Sequence, residues 1–417
     1  MPLRILALGP QEAYPPTDGG KEGIYGALAA LSRRAAITYV CPADARSPDA
    51  RSAYAALGIH HVPLAHAPRE TLATIVGATL RLKPFKFEKY ASREAVRLCA
   101  AGIGTAQFDC ILCFHAHTVG LAEKLQRRLG WKLPIIVREH NIEYELVESY
   151  RQSLSLAGRL VALPFALLTR LEEQSIWRRV NAAAFLTDRD VAAARSTGSS
   201  GNLVLAPEGV PLPAARLANK PTRDLQLLIL LNQRAAQSVG NLRQFLHEYW
   251  PIASDAPALR HVSLSVTGVE LERLSELTGV TPARLTALRV RALGFLPSLA
   301  DAFATSLALV SPTFVGGGIR KKVLEAMANQ LPVIATDLDI DSCGYFDPPQ
   351  NILRLGSPAD FVNCVEQLAG DAQLWSRLSH SGRQTVEQHA SWELFADVIS
   401  AEASRLASAR NPHGPSR

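Results

Sequence analysis

The chain has 417 residues, 47% of them hydrophobic and 20% charged, with 44 Lys and Arg against 38 Asp and Glu for a formal net charge of +6. That length exceeds one ordinary core and fills two, so two domains are expected. The mildly basic balance suits anionic small ligands or an anionic surface; without charge runs or RNA-type aromatic signatures, it argues against nucleic acid as a partner.

The first ten residues hold an apolar run too short for a signal peptide and read as a first strand ending in a turn. Strand-like apolar runs then recur at residues 36–41, 59–64, 109–114, 134–138, 182–186 and 202–205, after the first at 3–8, with helical patterns filling most gaps. Such alternation argues for parallel sheets covered by helices. After the first strand, Tyr14-Pro15-Pro16-Thr17-Asp18-Gly19-Gly20-Lys21 is a glycine turn, with a helix expected from about Glu22. Backbone amides there could approach a phosphate, although an exposed turn accounts for the same residues. Cys110 and Cys113, the only close pair among six scattered cysteines, lie in a strand pattern that sends them to opposite faces and read as buried free thiols, a usage suited to a reducing cytoplasm. The longest apolar stretch, residues 157–169, contains Arg159 and Pro164 and falls short of the ~20 residues a spanning helix needs.

A Pro-interrupted stretch without period, residues 211–221, marks the domain boundary, and a second alternation follows with strands at 225–231, 261–267, 290–293, 307–310 and 333–336. From Asp360 the patterns are helical and end in an amphipathic run at 392–406. The expected organisation is a first domain over 1–212 completed by the helix 391–409, a second over 213–390, and a disordered tail from 410. No exposed heptad is visible, which makes a monomer the default.

Chemistry concentrates near residue 316. The strand ending at Val310 breaks at Pro312, crosses Gly316, Gly317 and Gly318 and opens a helix, so unhindered N–H groups converge at a helix N-terminus. Arg320 and Lys322 add positive charge, and Glu325, about a turn and a half on, can accept from a ribose. A diphosphate joined to a sugar suits these groups. Taken alone, the segment also reads as a strand-to-helix turn with a solvated Lys321–Glu325 pair. The strand at 333–336 completes a βαβ unit and puts the glycines at the carboxyl end of a parallel strand, where open α/β sheets bind ligands. Asp339-Ile340-Asp341 has the spacing of a metal-binding acid pair but reads as solvated loop acids.

Across nearly its full length, from Gly19-Gly20 to Ser391-Trp392-Glu393, the sequence resembles GT-B glycosyltransferases of family 4 (group 1). Gly317-Gly318-Ile319-Arg320-Lys321-Lys322-Val323-Leu324-Glu325-Ala326-Met327-Ala328 followed by Pro332-Val333-Ile334-Ala335-Thr336 is similar to the donor-site signature of that family. Weaker support comes from Ala292-Leu293-Gly294-Phe295-Leu296, Arg138-Glu139-His140-Asn141-Ile142-Glu143 and Pro207-Glu208-Gly209-Val210.

The resemblance implies two Rossmann-like domains facing across a cleft, with the C-terminal helix crossing back to the first. It implies a nucleotide-diphosphate sugar as co-substrate, with Glu325 on the ribose, Arg320 and Lys322 facing the diphosphate, and Gly19 with Gly20 closing from the other side. His140 would lie beside the transferred sugar, with Arg320, Lys322 and His140 as the catalytic set. Two departures stand out. Gly317 occupies the place of the family's first glutamate, and Asn232 stands where glycine is usual after the second domain's first strand, leaving Arg234 as the candidate phosphate clamp.

The implied reaction retains configuration by front-face attack, with the leaving phosphate helping to deprotonate the acceptor and no metal required. Developing phosphate charge would be met by fixed donors. His140 has a bland alternative as a structural residue at a strand end, as have His115 and His117, which project from another strand end; His117 and Glu143 are the acceptor-side candidates. The acceptor is expected to be a saccharide or a lipid-linked saccharide. Arg81-Leu82-Lys83-Pro84-Phe85-Lys86-Phe87-Glu88-Lys89-Tyr90 interleaves cations with aromatics and could rest peripherally on anionic lipid at the inner membrane face, a solvated loop being the simpler reading. Two other classes compete. A dinucleotide oxidoreductase lacks its Gly-x-Gly-x-x-Gly, whereas a non-catalytic nucleotide-sugar-binding homologue keeps the same site.

Overall fold

The computed structural model describes residues 2–44, 47, 49–65, 83–198, 201–214, 220–221, 223–315 and 321–410. Gly316, Gly317, Gly318, Arg320, Arg81, Leu82 and the tail from 411 fall outside this set. The chain divides into two compact units, Met1–Gly209 with Trp392–Arg417, and Val210–Ser391.

In the first unit, β1 (Leu3–Leu8), β2 (Ala35–Pro42), β3 (His60–Leu64), β4 (Cys110–Phe114), β5 (Ile135–Arg138), β6 (Ala182–Phe185) and β7 (Leu203–Leu205) form one sheet in the order β3-β2-β1-β4-β5-β6-β7. Every pairing is parallel; Ile5, for example, lies opposite Ile37 on one side and Cys110 on the other. Parallel strands are covered on both faces, which is why their sequences are continuous apolar runs. Cys110 packs with Ile5, Ala7 and Leu28 on one face, and Cys113 with Leu6, Leu8 and Val137 on the other, so the two thiols point apart.

The helices α1 (Gly19–Leu31), α2 (Phe85–Glu88), α3 (Glu143–Ser153) and α4 (Leu156–Arg179) belong to this unit. Helix α1 begins at Gly19, three residues before the expected start, because the Asp18 carboxylate caps it by accepting from the Lys21 amide at 3.0 Å. Helix α4 is capped by Ser155 and carries Pro164 in its interior.

The second unit repeats the plan. Strands β8 (Gln226–Leu230), β9 (Ser263–Thr267), β10 (Val290–Ala292), β11 (Ala308–Ser311), β12 (Val333–Ala335) and β13 (Leu353–Arg354) lie in the order β10-β9-β8-β11-β12-β13, all parallel. Strand β13 has only two residues and no sequence signal of its own. Its helices include α5 (Ala236–Glu248), α6 (Lys321–Ala328), α7 (Asp337–Ile340) and α8 (Ala372–His389). Helix α7 corrects the expected acidic loop: Asp341 is exposed as read, but Asp339 is fully buried.

The last helix, α9 (Trp392–Arg410), returns to the first unit, where Phe395, Ala396, Ile399 and Ala403 pack with Ile24, Ala27, Leu28 and Leu31 of α1. Arg33–Glu393 at 2.8 Å and Arg34–Asp397 at 2.7 Å flank this seam, exposed pairs that contribute little beside the apolar burial. Gly26 makes the close approach feasible, since a Cβ there would sit 2.4 Å from the Trp392 indole. No helix among the described residues is long and apolar enough to cross a membrane. Gly26→Ala is expected to lower the urea midpoint by an amount equivalent to about 1–3 kcal/mol through overpacking, and to speed proteolysis of α9; an unchanged midpoint would show that the indole can move aside.

Candidate functional site

In each sheet the strand order reverses beside the first strand, between β1 and β4 in the first unit and between β8 and β11 in the second. The loops leaving such a pair run off in opposite directions, which opens a crevice beyond the carboxyl ends of the strands. Every described candidate residue follows a strand at or next to one of these points.

In the second unit a cavity of about 300 Å³ lies at the β8/β11 reversal. Leu231 and Asn232 line it after β8, Pro312, Thr313 and Val315 after β11, and Lys321 and Lys322 from the start of α6. The Lys322 ammonium donates to the Leu230 carbonyl at the end of β8. Glu325 follows on α6 and is half-buried. Asn232 shapes the turn after β8, its amide donating to Ser238 Oγ and its side-chain oxygen accepting from the Arg234 amide. Arg234 itself is exposed and is not among the residues lining the cavity. Arg320 and the three glycines join β11 to α6 outside the described residues.

One residue of this region was not anticipated. Asn241 on α5 accepts from the Phe314 and Val315 amides at 3.1 and 3.0 Å and donates to the Val315 carbonyl at 2.9 Å. It clamps the chain just before the glycine triplet, with Thr336 Oγ1 holding the Thr313 carbonyl at 2.6 Å. Sequence offers no pattern for such a contact, because the partners are more than seventy residues apart.

In the first unit Gly19 and Gly20 form the first turn of α1, so their amides are among those a helix leaves without intrahelical acceptors. A Cβ on Gly19 would meet nothing within 4 Å. Gly23 faces His140 and Glu208 so tightly that a Cβ would stand 2.5 Å from His140 Nε2 and 2.7 Å from Glu208 Oε1.

His140 follows β5 and rests on Arg138, whose Nη1 lies 2.7 Å from its Nε2. A guanidinium only donates, so the ring nitrogen that meets it accepts and presents a lone pair. Arg138 is fully buried, with its guanidinium carbon 5.0 Å from the Phe395 ring centre and 5.9 Å from those of Phe114 and Trp392. Burial draws its pKa down to about 10, against the opposing charge of Glu208. It remains charged at neutral pH.

His115 follows β4 with φ at 70° and ψ at 148°, a positive-φ backbone that costs a non-glycine residue about 1–3 kcal/mol and is held here by its packing. Its ring stacks 4.3 Å from His140 and 5.8 Å from His117. Burial, then the nearby His117, depress its pKa to about 3. The stack therefore presents uncharged His115 beside His140 across the neutral range.

Carboxylates lie against these rings. His117 Nε2 and Lys86 Nζ stand 3.5 and 3.4 Å from Glu143 Oε2. Burial pushes the Glu143 carboxyl up, but His117 and Lys86 outweigh it and hold it near 2. Glu139 accepts from the Trp177 indole at 2.9 Å and the Ala116 amide at 3.2 Å, and Glu173 accepts from the Glu143 and Tyr144 amides at 2.7 and 3.1 Å. Burial raises both Glu139 and Glu173, reinforced by the Glu143 charge at the first and by the Glu139 charge at the second. These two acids hold the loops after β4 and β5 in place.

Two side-chain groups in this unit bring possible metal donors within 4.8 Å of one another: Glu12, Cys41 and His61, and His115, His117 and Glu143. The first is already knit by hydrogen bonds, Glu12 taking Tyr54 Oη at 2.7 Å and His61 Nε2 at 3.0 Å. In the second, a cation would have to draw Glu143 away from Lys86.

Residues 230–371 match the family described as Glycosyl transferases group 1, a span that begins at the end of β8 and contains the cavity and α6. No curated protein matches the sequence significantly. Among solved structures, sucrose-phosphate synthase from Thermosynechococcus elongatus is similar at a TM-score of 0.64 and 16% identity, over 97% of this chain and 100% of that one. Anabaena HepE in complex with UDP gives 0.62 and 13% over the same shares, and the lipopolysaccharide outer core galactosyltransferase WaaB 0.57 and 14%, again over 97% and 100%. Residues 230–371 thus match a glycosyl transferases group 1 domain, and the two parallel sheets give the chain the GT-B fold of these solved structures.

Proposed function

We propose that the chain transfers a sugar, with retention and without a metal, from a nucleoside-diphosphate sugar to a saccharide or lipid-linked saccharide in the cytoplasm. The observation that carries this reading is the cavity at the β8/β11 reversal, where Lys321 and Lys322 open the helix that follows a glycine triplet. Both a nucleotide diphosphate and its charge suit that place. Anabaena HepE, solved with UDP and with UDP-glucose, supports the donor class, and WaaB, an outer core galactosyltransferase, supports a saccharide acceptor.

In the proposed reaction the bond from the anomeric carbon to the diphosphate oxygen breaks. Negative charge gathers on the phosphate, where Lys322, Arg320 and the glycine amides 316–318 lower its energy, and Glu325 holds the ribose. The acceptor oxygen bonds to the same face of the carbon and its proton passes to the departing phosphate. His140, fixed by Arg138 and by the stack on His115, presents a neutral imidazole to the sugar. Gly19 and Gly20 offer amides, and His117 and Glu143 form the acceptor side. Arg234, exposed, would reach the diphosphate only by turning toward it.

A saturating donor is expected to raise the unfolding midpoint of the chain; at a hundredfold excess over the dissociation constant it adds about 2.7 kcal/mol. UDP-, GDP- and ADP-sugars screened by thermal shift identify it. Lys322→Ala and Glu325→Ala should abolish the shift and cut turnover by about a hundredfold or more with the fold intact. A shift with no turnover against any acceptor would instead mark a binding homologue. Gly23→Ala, which intrudes on His140, should lower turnover about as far as His140→Ala does, on the order of 10²-fold, with little change in donor affinity. Incubation with EDTA should leave turnover unchanged, and a loss restored by Mn²⁺ would refute metal independence.

A further inference from the structure

The strongest feature that the transferase chemistry leaves unused is the outer half of the α3–α4 hairpin. Of the fourteen exposed large hydrophobic side chains among the described residues, nine belong to it. On α4, Leu156, Leu160, Val161 and Leu171 are 78%, 72%, 83% and 62% exposed. Scattered surface leucines need no explanation, but a contiguous group this large on one element does.

Their spacing makes a surface. Leu156, Leu160, Leu163, Leu167 and Leu171 recur at intervals of three and four, so they share one face of the helix and form a stripe about 22 Å long. The opposite face carries Ala166, Thr169, Glu173, Ile176 and Trp177, all buried against the unit. The stripe therefore points away from the body that holds it. Val161 and Phe165 are exposed on other faces of α4, and Leu146 and Tyr150, about a turn apart on α3, are exposed as well.

Charge identifies the occupant. Between Glu148 and Glu172 there is no acidic residue, while Arg151, Arg159 and Arg170 fall in that span and Lys83 reaches Glu172 at its inner end, 3.5 Å away. Arg159 and Arg170 are exposed and lie on the same flank of the stripe, eleven residues or three turns apart. A second copy docking through this face by two-fold symmetry would bring like arginine-flanked surfaces together. An anionic bilayer meets the same surface with opposite charge and an apolar interior. The length also fits, since the stripe is shorter than the ~30 Å hydrocarbon core and α4 would lie along the interface.

We propose that the α3–α4 hairpin is a membrane-docking element, with the leucine stripe of α4 inserted among the acyl chains and Arg159 and Arg170 at anionic headgroups. The surface stands on exposure and charge alone; its use rests on the reading of a lipid-linked acceptor given above. Glu173, on the buried face of the same helix, holds the Glu143 and Tyr144 amides, so docking would bring the His117–Glu143 region close to the lipid surface.

The test uses the full chain without nucleotide sugar, sedimented with extruded vesicles of phosphatidylcholine alone or mixed equally with phosphatidylglycerol. Binding to the anionic vesicles is expected, weaker on the neutral ones and reduced by added salt. The double variant Leu156→Gln, Leu160→Gln should lose about tenfold or more in partitioning with an unchanged unfolding midpoint, because both side chains lie on the stripe and are exposed. Ile252→Gln, an exposed apolar position of the second unit, should bind as the parent does. The proposal is overturned if the parent stays in solution with both vesicles, if the double variant binds equally well, or if Ile252→Gln loses as much. It is also overturned if ultracentrifugation shows a dimer that the double variant dissolves while vesicles are ignored, since a second copy then covers the stripe. Vesicle binding by a chain that transfers no sugar would support this surface and count only against the transferase reading.

Discussion

A parallel sheet cannot reverse its strand order without leaving an opening, and that constraint organises this molecule twice. Right-handed crossovers carry successive helices to one face or the other. Where the order turns, at β1/β4 and again at β8/β11, the two outgoing loops diverge. The backbone at these ends has carbonyls and amides that no neighbouring strand claims, together with the positive ends of helices. The glycines that open α1, the histidines after β4 and β5, and the lysines in the first turn of α6 all sit just beyond the strand ends that this geometry leaves open.

The two halves use that freedom differently. In the second unit, positive charge and small residues surround a cavity, and polar side chains such as Asn241 and Thr336 fasten its loop from behind. In the first, three stacked imidazoles meet a ring of buried acids, and the only fully buried arginine among the described residues lies under His140. Arg138 is tolerable there because aromatic faces from β4 and α9 replace part of its lost hydration. The returning helix α9 is thus tied to the chemistry: Phe395 and Trp392 complete the cage that positions the residue positioning His140.

The α3–α4 hairpin follows another logic. A helix whose inner half carries Trp177, Ile176 and Glu173 into the core has an outer half that is just as apolar and largely exposed. Folding alone gives no reason for that composition, since exposed leucines add no burial and invite aggregation. The arginines beside them and the missing acids give it a chemical direction.

Much of this was legible from residues alone. Twelve of the thirteen strands announce themselves as short apolar runs because both faces of a parallel sheet are buried, and Cys110 and Cys113 were separable because alternate residues face opposite sides. The glycine triplet, Lys322 and Glu325 are local in sequence, so their spacing could be read as a phosphate site. What could not be read depends on contacts between distant segments. Strand β13 exists only because β12 offers it an edge, and the acidic segment at 337–341 folds inward at Asp339 where local chemistry predicts solvent. Asn241, the aromatic cage of Arg138 and the clash that keeps Gly23 a glycine each join residues dozens to hundreds of positions apart. Local pattern determined the elements and the glycine-and-lysine motif proposed to hold the diphosphate, because periodicity and residue spacing are short-range properties; tertiary structure alone decided which side chains are brought together around the candidate site, because burial and proximity are set by how those elements pack.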